Sequence, residues 1–412
     1  MLAAALVYLA PLLTPPDSAP KLPFAPRPVI DTLCSPGLWG RGYSRNGHNK
    51  AADYLRRRLQ GAGASVSIQA FEMEAQVWPA SPTLTVGRRR PALGEAWQPE
   101  AGCPPVRFCG KALRYDSLAW PRLPAAMQAK AALVFSSAAA WQRFRRQQLP
   151  LPGLAWIESG GALPAFSVAR QADVVPVVYA TQPHTPAAGQ RVRFKAQPKP
   201  WQGQAHNVVA RIPGTARPDS MLIVGAHYDH LGGLGKRVYF PGANDNATGT
   251  TLLLELATYL ARHPLRYTVY VVGFSAEEAG LVGSQAFVRQ WADSLPRVRF
   301  MLNLDLMGSG EDGATAVNAP AVQWDFDQLQ ALNARLQALP SIRPRRNAPN
   351  SDHYPFTQAG VPALFLYLQG PYKYYHSPQD KPRPELTLAG FEGTFHLCMA
   401  FLQRMAGQPA HR

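Results

Sequence analysis

Three short apolar segments constrain the fold of this chain most, because each leads into residues that can bind a metal ion. A short apolar run bounded by glycine or polar residues is typical of a buried strand. In open α/β sheets, ligands bind at the carboxyl ends of such strands. The segments and their polar residues are the run from Met221 with His227 and Asp229, Thr268 to Phe274 with Glu277 and Glu278, and Arg299 to Leu306 with Asp305.

Two further segments carry residues of the same types. Asp245 lies in Pro-Gly-Ala-Asn-Asp-Asn, and His376 lies in Tyr-Tyr-His-Ser-Pro. Zinc takes histidine nitrogens and carboxylate oxygens, and a catalytic site keeps one position open for water. Asp305 is the most informative single residue, because a carboxylate in an apolar strand needs a partner to offset its burial.

Each residue also has a plainer interpretation. Paired glutamates often begin a solvated helix, where the helix dipole favours acids. Asp245 could cap a helix or form an Asx turn, and His376 could be an ordinary loop histidine. Singly, these interpretations are favoured for Glu277, Asp245 and His376. If there were no metal site, however, all of these plainer interpretations would have to be true at once. The joint pattern therefore favours a metal site.

The motifs together resemble the two-zinc aminopeptidases, family 28 of the metallopeptidases, and an exported bacterial member in particular. The resemblance covers the last half of the chain well and the region from Ile30 to Gly61 more loosely. Its motifs are His-x-Asp at His227, Gly-x-Asn-Asp-Asn at Asp245, the pair Glu277-Glu278, Asn-Leu-Asp at Asp305, Ser-Asp-His at Asp352 and Tyr-His-Ser-Pro at His376.

The resemblance implies a role for each of these residues. The implied ligands of two zinc ions are the bridging Asp245, with His227 and Asp305 on one ion and Glu278 and His376 on the other. Glu277 would be the general base, since Glu278 beside it is already a ligand. The peptide bond between Asp245 and Asn246 would be cis.

Other site residues are predicted less directly. Asp229 shares a strand face with His227 and is expected to orient its imidazole, as carboxylates around metal sites do. By resemblance, Tyr375 helps to hold the oxyanion of the tetrahedral intermediate. Asp352 and His353 match a family position near the cleft and are candidates for substrate binding.

Strands and helices alternate from Asn207 onwards, which predicts an α/β fold with a mixed, mostly parallel sheet flanked by helices. The resemblance implies the zinc-exopeptidase, phosphorylase/hydrolase-like version of that fold. Predicted helices cover Asn46 to Leu59, Thr248 to Arg262, a segment from Val282, Gln323 to Ala338, and Glu385 to about Met405.

The chain changes character between about Pro79 and Pro200, where proline and tryptophan are frequent. We predict a peptidase domain of residues 21–79 and 201–412. Residues 80–200 would form a smaller inserted domain, which by resemblance covers the cleft.

The N-terminal residues 1–20 are predicted to be a signal peptide, because Met1 to Leu13 is apolar and too short to span a bilayer. A basic segment before the apolar run is missing. We therefore expect an exported protein with no membrane span in the mature chain. Cys103 and Cys109 could form a disulfide there or remain free thiols.

The net charge of +16 could indicate binding to nucleic acid or an anionic surface. The arginine clusters lie in separate segments without a nucleic-acid motif, so a solvated basic surface is the better interpretation, and we expect no nucleic-acid partner.

The leading functional hypothesis is a zinc aminopeptidase that removes residues from peptide or protein N-termini. Glutaminyl cyclisation and carboxypeptidase action remain alternatives on the same scaffold, and Arg345 or Lys373 could recognise a terminal carboxylate. A non-catalytic binding ectodomain is a third hypothesis, disfavoured because the ligand set and the base are complete.

Overall fold

A computed structural model describes residues 21–407 of the 412-residue chain. The predicted signal peptide, residues 1–20, lies outside the described residues. Within the described range, no helix is both long and apolar enough to cross a membrane.

The described chain contains two mixed sheets and the helices that pack on them. The helices are α1 Pro26–Leu33, α2 Gly47–Gly61, α3 Ala125–Gln128, α4 Ala138–Arg146, α5 Gly249–Arg262, α6 Val282–Gln290, α7 Gln323–Leu336, α8 His353–Gln358 and α9 Phe391–Gly407. The strands are β1 Ser65–Val77, β2 Thr83–Val86, β3 Trp97–Pro99, β4 Val106–Arg114, β5 Ala131–Phe135, β6 Leu154–Ser159, β7 Val177–Thr181, β8 Arg191–Ala196, β9 Lys199–Ile212, β10 Arg217–His227, β11 Gly233–Leu234, β12 Val238–Tyr239, β13 Tyr267–Phe274, β14 Val298–Leu304, β15 Gly313–Val317, β16 Ile342–Arg345 and β17 Ala363–Gln369.

The larger sheet has eight strands in the order β1-β9-β13-β10-β14-β17-β15-β16. Strands β13, β10, β14 and β17 are parallel neighbours, whereas β1, β9 and β15 each include antiparallel pairings. Alternate residues of a strand point to opposite faces. Accordingly, Leu222 and Val224 join one core, while Met221 and Ile223 join the other.

Helices cover both faces of this sheet. One core packs against α1, α2, α5, α7 and α9, and the other packs against Phe287 of α6 and Phe356 of α8. The predicted fold class, a mixed α/β sheet flanked by helices, is confirmed.

The second sheet has seven strands in the order β2-β8-β4-β5-β6-β7-β3. One of its faces shares a core with Leu231, Leu234 and Phe240, which belong to loops and short strands next to the larger sheet. The other face is covered by α4 through Trp141 and Phe144. All seven strands lie between Thr83 and Ala196.

A long antiparallel ribbon joins the two sheets. Strands β1 and β9 pair without interruption from Ser65 opposite Arg211 to Val77 opposite Lys199. Strand β1 is 13 residues long, and Val66, Ile68 and Ala70 lie in its first half.

The predicted start of the last helix was wrong. It begins at Phe391 rather than Glu385, because Leu388 has a positive φ of 60°. Its N–H donates to the carbonyl of Gly308, and that of Gly390 donates to Ser309. The cysteines of the described chain, including Cys103 and Cys109, are free.

Candidate metal centre

The site lies where three neighbouring strands of the larger sheet end. Strand β10 sits between β13 and β14 and runs parallel to both, so their carboxyl ends meet at one edge. His227 is the last residue of β10 and is in register with Phe274 at the end of β13. Asp305 directly follows β14, and Glu277 and Glu278 follow β13 after two residues.

Asp245 lies at the centre of the predicted ligands, and its two carboxylate oxygens face different histidines. Its Oδ1 is 3.3 Å from His227 Nε2, and its Oδ2 is 3.0 Å from His376 Nε2. His227 Nε2 is also 3.3 Å from Asp305 Oδ1, and His376 Nε2 is 3.0 Å from Glu278 Oε2. The structure therefore brings all five predicted ligands together, in two groups that share Asp245.

These separations suit metal ligands. Two atoms that each lie about 2.0–2.1 Å from one tetrahedral zinc are about 3.3–3.4 Å apart. The nitrogen–oxygen distances of 3.0–3.3 Å are close to that value. Ligand atoms of His227, Asp245 and Glu278 all lie within 4.8 Å of one another. The histidine and carboxylate donors fit a pair of zinc ions.

The loop that carries Asp245 is held by buried polar groups. Asp380, which is fully buried, accepts the N–H of Asn244 at 2.9 Å and that of Asp245 at 3.1 Å. Gly242 before it has φ 62°, and an added Cβ would lie 2.2 Å from the carbonyl oxygen of Asp245. The peptide bond between Asp245 and Asn246 is cis, as predicted.

Arg41 braces the same loop from the other side. Its fully buried guanidinium donates hydrogen bonds of 2.6–3.3 Å to backbone carbonyls only. The acceptors are Leu33, Tyr228, Pro241, Gly242 and Asp245. Arg41 thereby ties the end of β10 to the Asp245 loop.

Asp229 connects the two strand ends through both its main chain and its carboxylate. The backbone carbonyl of Asp229 is 3.3 Å from His227 Nδ1, whereas its carboxylate Oδ1 is 3.8 Å away. That Oδ1 accepts the N–H of Glu277 at 3.1 Å. The main chain of Asp229 thus orients the imidazole, and its carboxylate positions Glu277.

The site holds more acid than the nearby basic side chains can balance. Its acids are Asp229, Asp245, Glu277, Glu278, Asp305 and Asp352. Within residues 21–407, no lysine or arginine forms an ion pair with any of them. Divalent cations would supply the missing positive charge.

Protonation of the cluster reflects this imbalance. Burial, with repulsion from neighbouring acids, raises the pKa of Glu277 well above its usual range. Burial also raises the pKa of Asp229 and that of Asp352 to about 7. For His376, burial opposes protonation, but Glu278 and Asp245 outweigh it and raise the pKa to about 11. Protons and metal ions would therefore compete for the same site.

The remaining predicted residues are placed less uniformly. Tyr375 is half-exposed, with its ring stacked on His376 at a centroid distance of 3.8 Å. Asp352 is fully buried and close enough to His227 to interact with its charge. His353 faces elsewhere: its Nε2 is 3.0 Å from Asn347 Oδ1 and its ring packs on Phe365.

Sequence reasoning assigned no role to four residues that contact the ligands. His230 Nδ1 is 2.6 Å from Glu278 Oε1, and the Ser351 hydroxyl donates to Asp305 Oδ2 at 3.0 Å. Ser351 belongs to the Ser-Asp-His motif and His230 directly follows the His-x-Asp motif, so a signal was present. Asp380 and Arg41 are remote in sequence from the residues they support, and no local pattern marks them.

Comparisons with known proteins agree with this site. The family model described as "Peptidase family M28" matches residues 207–399, which contain all five predicted ligands. Aminopeptidase YwaD of Bacillus subtilis (strain 168) is 27% identical over 189 residues, 43% of this chain and 39% of that protein. Residues 207–399 are therefore similar to peptidase family M28. A probable leucine aminopeptidase of Arthroderma otae is 30% identical to this chain over 190 residues, 42% of the chain and 50% of the relative. The matches span about half the length of these curated relatives.

Solved structures share the fold of this chain over nearly its whole length. The structure of BSAP, a zinc aminopeptidase from Bacillus subtilis, has a TM-score of 0.73 at 18% identity and covers 95% of this chain and 98% of that one. The aminopeptidase from Aneurinibacillus sp. strain AM-1 has a TM-score of 0.65 at 20% identity, covering 94% of each chain. The likeness therefore includes both sheets.

Proposed function

We propose that this chain is an M28-type, zinc-dependent aminopeptidase that removes residues from the N-termini of peptides. The observation that carries the proposal is the sharing of Asp245 between two groups of ligands, each with one histidine and one further carboxylate. The names of the relatives, aminopeptidases and zinc metalloproteases, support it.

The ligand roles follow from the two groups. His227 and Asp305 would hold one zinc ion, Glu278 and His376 the other, and Asp245 both. When bound, the ions would supply Lewis acidity and lower the pKa of a water molecule. The protein's own contribution is to fix the donor atoms, which Asp380, Arg41 and Ser351 do through buried hydrogen bonds.

Glu277 is proposed as the general base. It is not needed as a ligand, because Glu278 already faces both His230 and His376. Its backbone is fixed by the carboxylate of Asp229. Its carboxylate would accept a proton from the attacking water and return it to the leaving amine. A positioned base of this kind contributes about 10²–10⁴-fold in rate.

The surrounding groups suit a substrate with a free amino terminus. The excess of acid, including Glu277 and Asp305, would attract an α-ammonium group, and the half-exposed Tyr375 would donate to the oxyanion. A terminal carboxylate would instead need a cation. Both Arg345 and Lys373 are exposed, and neither forms an ion pair with the cluster in the described part of the chain.

We also propose that residues 80–200 are an inserted domain that covers the cleft. The contact of Phe166 with His376 supports this arrangement. Export of the protein is proposed from the apolar segment Met1 to Leu13. Fractionation of cells that produce the full chain would test export, and retention in the cytoplasm would contradict it.

The test is a comparison of the zinc-loaded protein with its Glu277→Gln variant on an aminoacyl anilide and on the same compound with an acetylated amine. We expect hydrolysis of the free-amine substrate only, two zinc ions in both proteins, and about 10²–10⁴-fold lower kcat in the variant. Glu72→Gln, an exposed change on β1, is the matched control. Equal cleavage of the acetylated compound would overturn the aminopeptidase proposal.

A further inference from the structure

The second sheet contributes directly to the surroundings of one predicted zinc ligand. The loop between β6 and β7 places Phe166 against His376. The imidazole Nδ1–H of His376 donates to the carbonyl oxygen of Phe166 at 2.7 Å, and the N–H of Phe166 donates to the carbonyl of His376 at 3.1 Å. Both the ring and the backbone of His376 are therefore fixed by one residue that is 210 positions away.

This contact matters because His376 has an unusual backbone. Its φ of 51° lies in the left-handed region, which residues other than glycine adopt only where neighbouring structure holds them. Its Nε2 faces Asp245 and Glu278, so Nδ1–H is the group left to donate a supporting hydrogen bond. A hydrogen bond from the second nitrogen fixes the tautomer and direction of a metal-binding histidine.

Phe166 is itself anchored on both sides. Its ring is 5% exposed and stacks on Phe240 with centroids 4.8 Å apart and an interplanar angle of 13°. The loop on either side is tied to other strands, since the Gln98 amide donates to the carbonyl of Pro164 and the Gln76 N–H donates to that of Ala169. The carbonyl of Phe166 is thus held rigidly.

We propose that Phe166 is a positioning residue of the metal centre, through which the second sheet controls the affinity of the zinc ion bound by Glu278 and His376. This inference rests on the proposed zinc function. Movement of the second sheet away from the larger one would break both hydrogen bonds of His376 and leave its ring free to turn. Retention of this zinc ion would therefore depend on the second sheet staying in contact with the larger one.

The experiment measures zinc stoichiometry and affinity by chelator competition in the full-length protein, with kcat and KM as separate readouts. For Phe166→Ala, which removes the stacking anchor, we expect one of two zinc ions to bind about 10–100-fold more weakly. Phe166→Leu should restore most of that affinity. Phe194→Ala is the matched control, because Phe194 is buried in the same core and does not contact His376.

The possible results distinguish a failure of the positioning role from a failure of the proposed zinc function. Wild-type affinity for both ions in Phe166→Ala, or the same loss in Phe194→Ala, would overturn the positioning role. Failure of the wild-type protein to bind zinc at all would instead overturn the proposed function. A loss confined to one ion in Phe166→Ala, with unchanged affinity in Phe194→Ala, supports the inference.

Independently of Phe166, strands β4 and β8 of the second sheet carry basic side chains beyond the part of the sheet that α4 covers. Strands β4 and β8 pair so that Arg107 lies opposite Lys195 and Lys111 lies opposite Arg191, with Arg193 between them opposite Cys109. All five basic side chains are exposed. We refer to Arg107, Lys111, Arg191, Arg193 and Lys195 as the basic face.

Such an arrangement opposes the stability of the sheet. Like charges directly opposite each other on paired strands are destabilising, and a face adapted only to water would alternate in sign. The next strand, β2, places Thr83 and Thr85 opposite Lys195 and Arg193 and supplies no acid. The five residues come from two separate sequence segments, so the cluster exists only in the folded protein.

We propose that the basic face binds the surface of an anionic phospholipid bilayer. A sheet holds its side chains about 5 Å apart across strands and about 7 Å apart along them, so a plane of headgroups can meet all five cations together. A single strand of nucleic acid, in contrast, would contact only one row of these cations. Proteins that bind single strands stack the bases on aromatic rings. The aromatic pair of these two strands, Phe108 opposite Phe194, is buried and not available for stacking.

The test is co-sedimentation with vesicles of phosphatidylcholine alone or with phosphatidylglycerol. We expect binding only to the anionic vesicles, weakened at least tenfold by Arg193→Glu/Lys195→Glu and lost in high salt. Arg345→Glu/Arg346→Glu changes the net charge equally at another exposed site and should bind almost as the wild type does. Equal loss in both variants, no vesicle binding, or tighter binding to a single-stranded oligonucleotide would overturn the proposal.

Discussion

Replacing Asp380 by asparagine tests how the bridging aspartate is held. Asp380 Oδ1 accepts both the N–H of Asn244 and the hydroxyl of Tyr372, each at 2.9 Å, and Oδ2 accepts the N–H of Asp245 at 3.1 Å. The best orientation of an asparagine keeps the oxygen on the Oδ1 side. Its NH₂ group then faces the N–H of Asp245, and that buried donor loses its acceptor.

The cost follows from these contacts. One hydrogen bond to a charged group is lost, worth about 1.5–3 kcal/mol, and a buried donor is left unsatisfied, so we expect a loss of about 2–4 kcal/mol. Tyr372→Phe removes only the hydroxyl donor and should cost about 1 kcal/mol. Urea denaturation of the metal-free protein measures both. Zinc affinity should also fall further in Asp380→Asn than in Tyr372→Phe, because only Asp380→Asn removes the acceptor of the Asp245 N–H.

An Asp380→Asn protein within about 0.5 kcal/mol of the wild type, the usual range for surface changes, would refute this reasoning. So would equal losses of stability and zinc affinity in the two variants, because the N–H of Asp245 would then not depend on the Asp380 carboxylate.

Three further predictions concern pH, a buried cation and metal removal. Burial lowers the pKa of His48 to about 4, below its value of about 6.5 in the unfolded chain. Neutral His48 therefore stabilises the fold above pH 6.5, and about 3 kcal/mol of this stability is lost as the pH falls through 4. Between pH 7 and 4, the free energy of unfolding of His48→Gln should fall by about 3 kcal/mol less than that of the wild type. Arg41→Met leaves five carbonyls without their donor and should cost more than about 3 kcal/mol in urea denaturation, and a smaller loss would argue against the bracing role. Free zinc at about 100 times its Kd should add about 2.7 kcal/mol per ion to the metal-free protein, and a melting temperature indifferent to zinc would contradict the metal centre.

The sequence predicted the strands near the site well, because a buried strand is visible in the sequence as a short run of apolar residues. The apolar run ending at Phe274 became β13, and the run from Met221 became the buried part of β10. The family resemblance and the zinc-ligand types were readable for a related reason: each motif is a few residues long and follows a strand. The resemblance is confirmed over residues 207–399, which the family model matches.

The last helix shows where local patterns fail. The residues before Phe391 are compatible with a helix, but Leu388 and Gly390 donate their N–H groups to Gly308 and Ser309. Those acceptors lie some 80 positions earlier, and a periodicity argument has no access to them. The same limit applies to the second partner of Asp229, whose carboxylate lies 3.8 Å from His227 Nδ1 and also accepts the N–H of Glu277.

By itself, the sequence determined which residues could bind metal and which segments would be strands, because donor chemistry and burial periodicity belong to a few neighbouring residues. Only the tertiary structure decided that the oxygens of Asp245 face two different histidines, that Asp380 and Arg41 hold its loop, and that Phe166 meets His376. These contacts join segments brought together by strand order and by the packing of two sheets, and hydrogen-bond partners distant along the chain leave no local pattern in it.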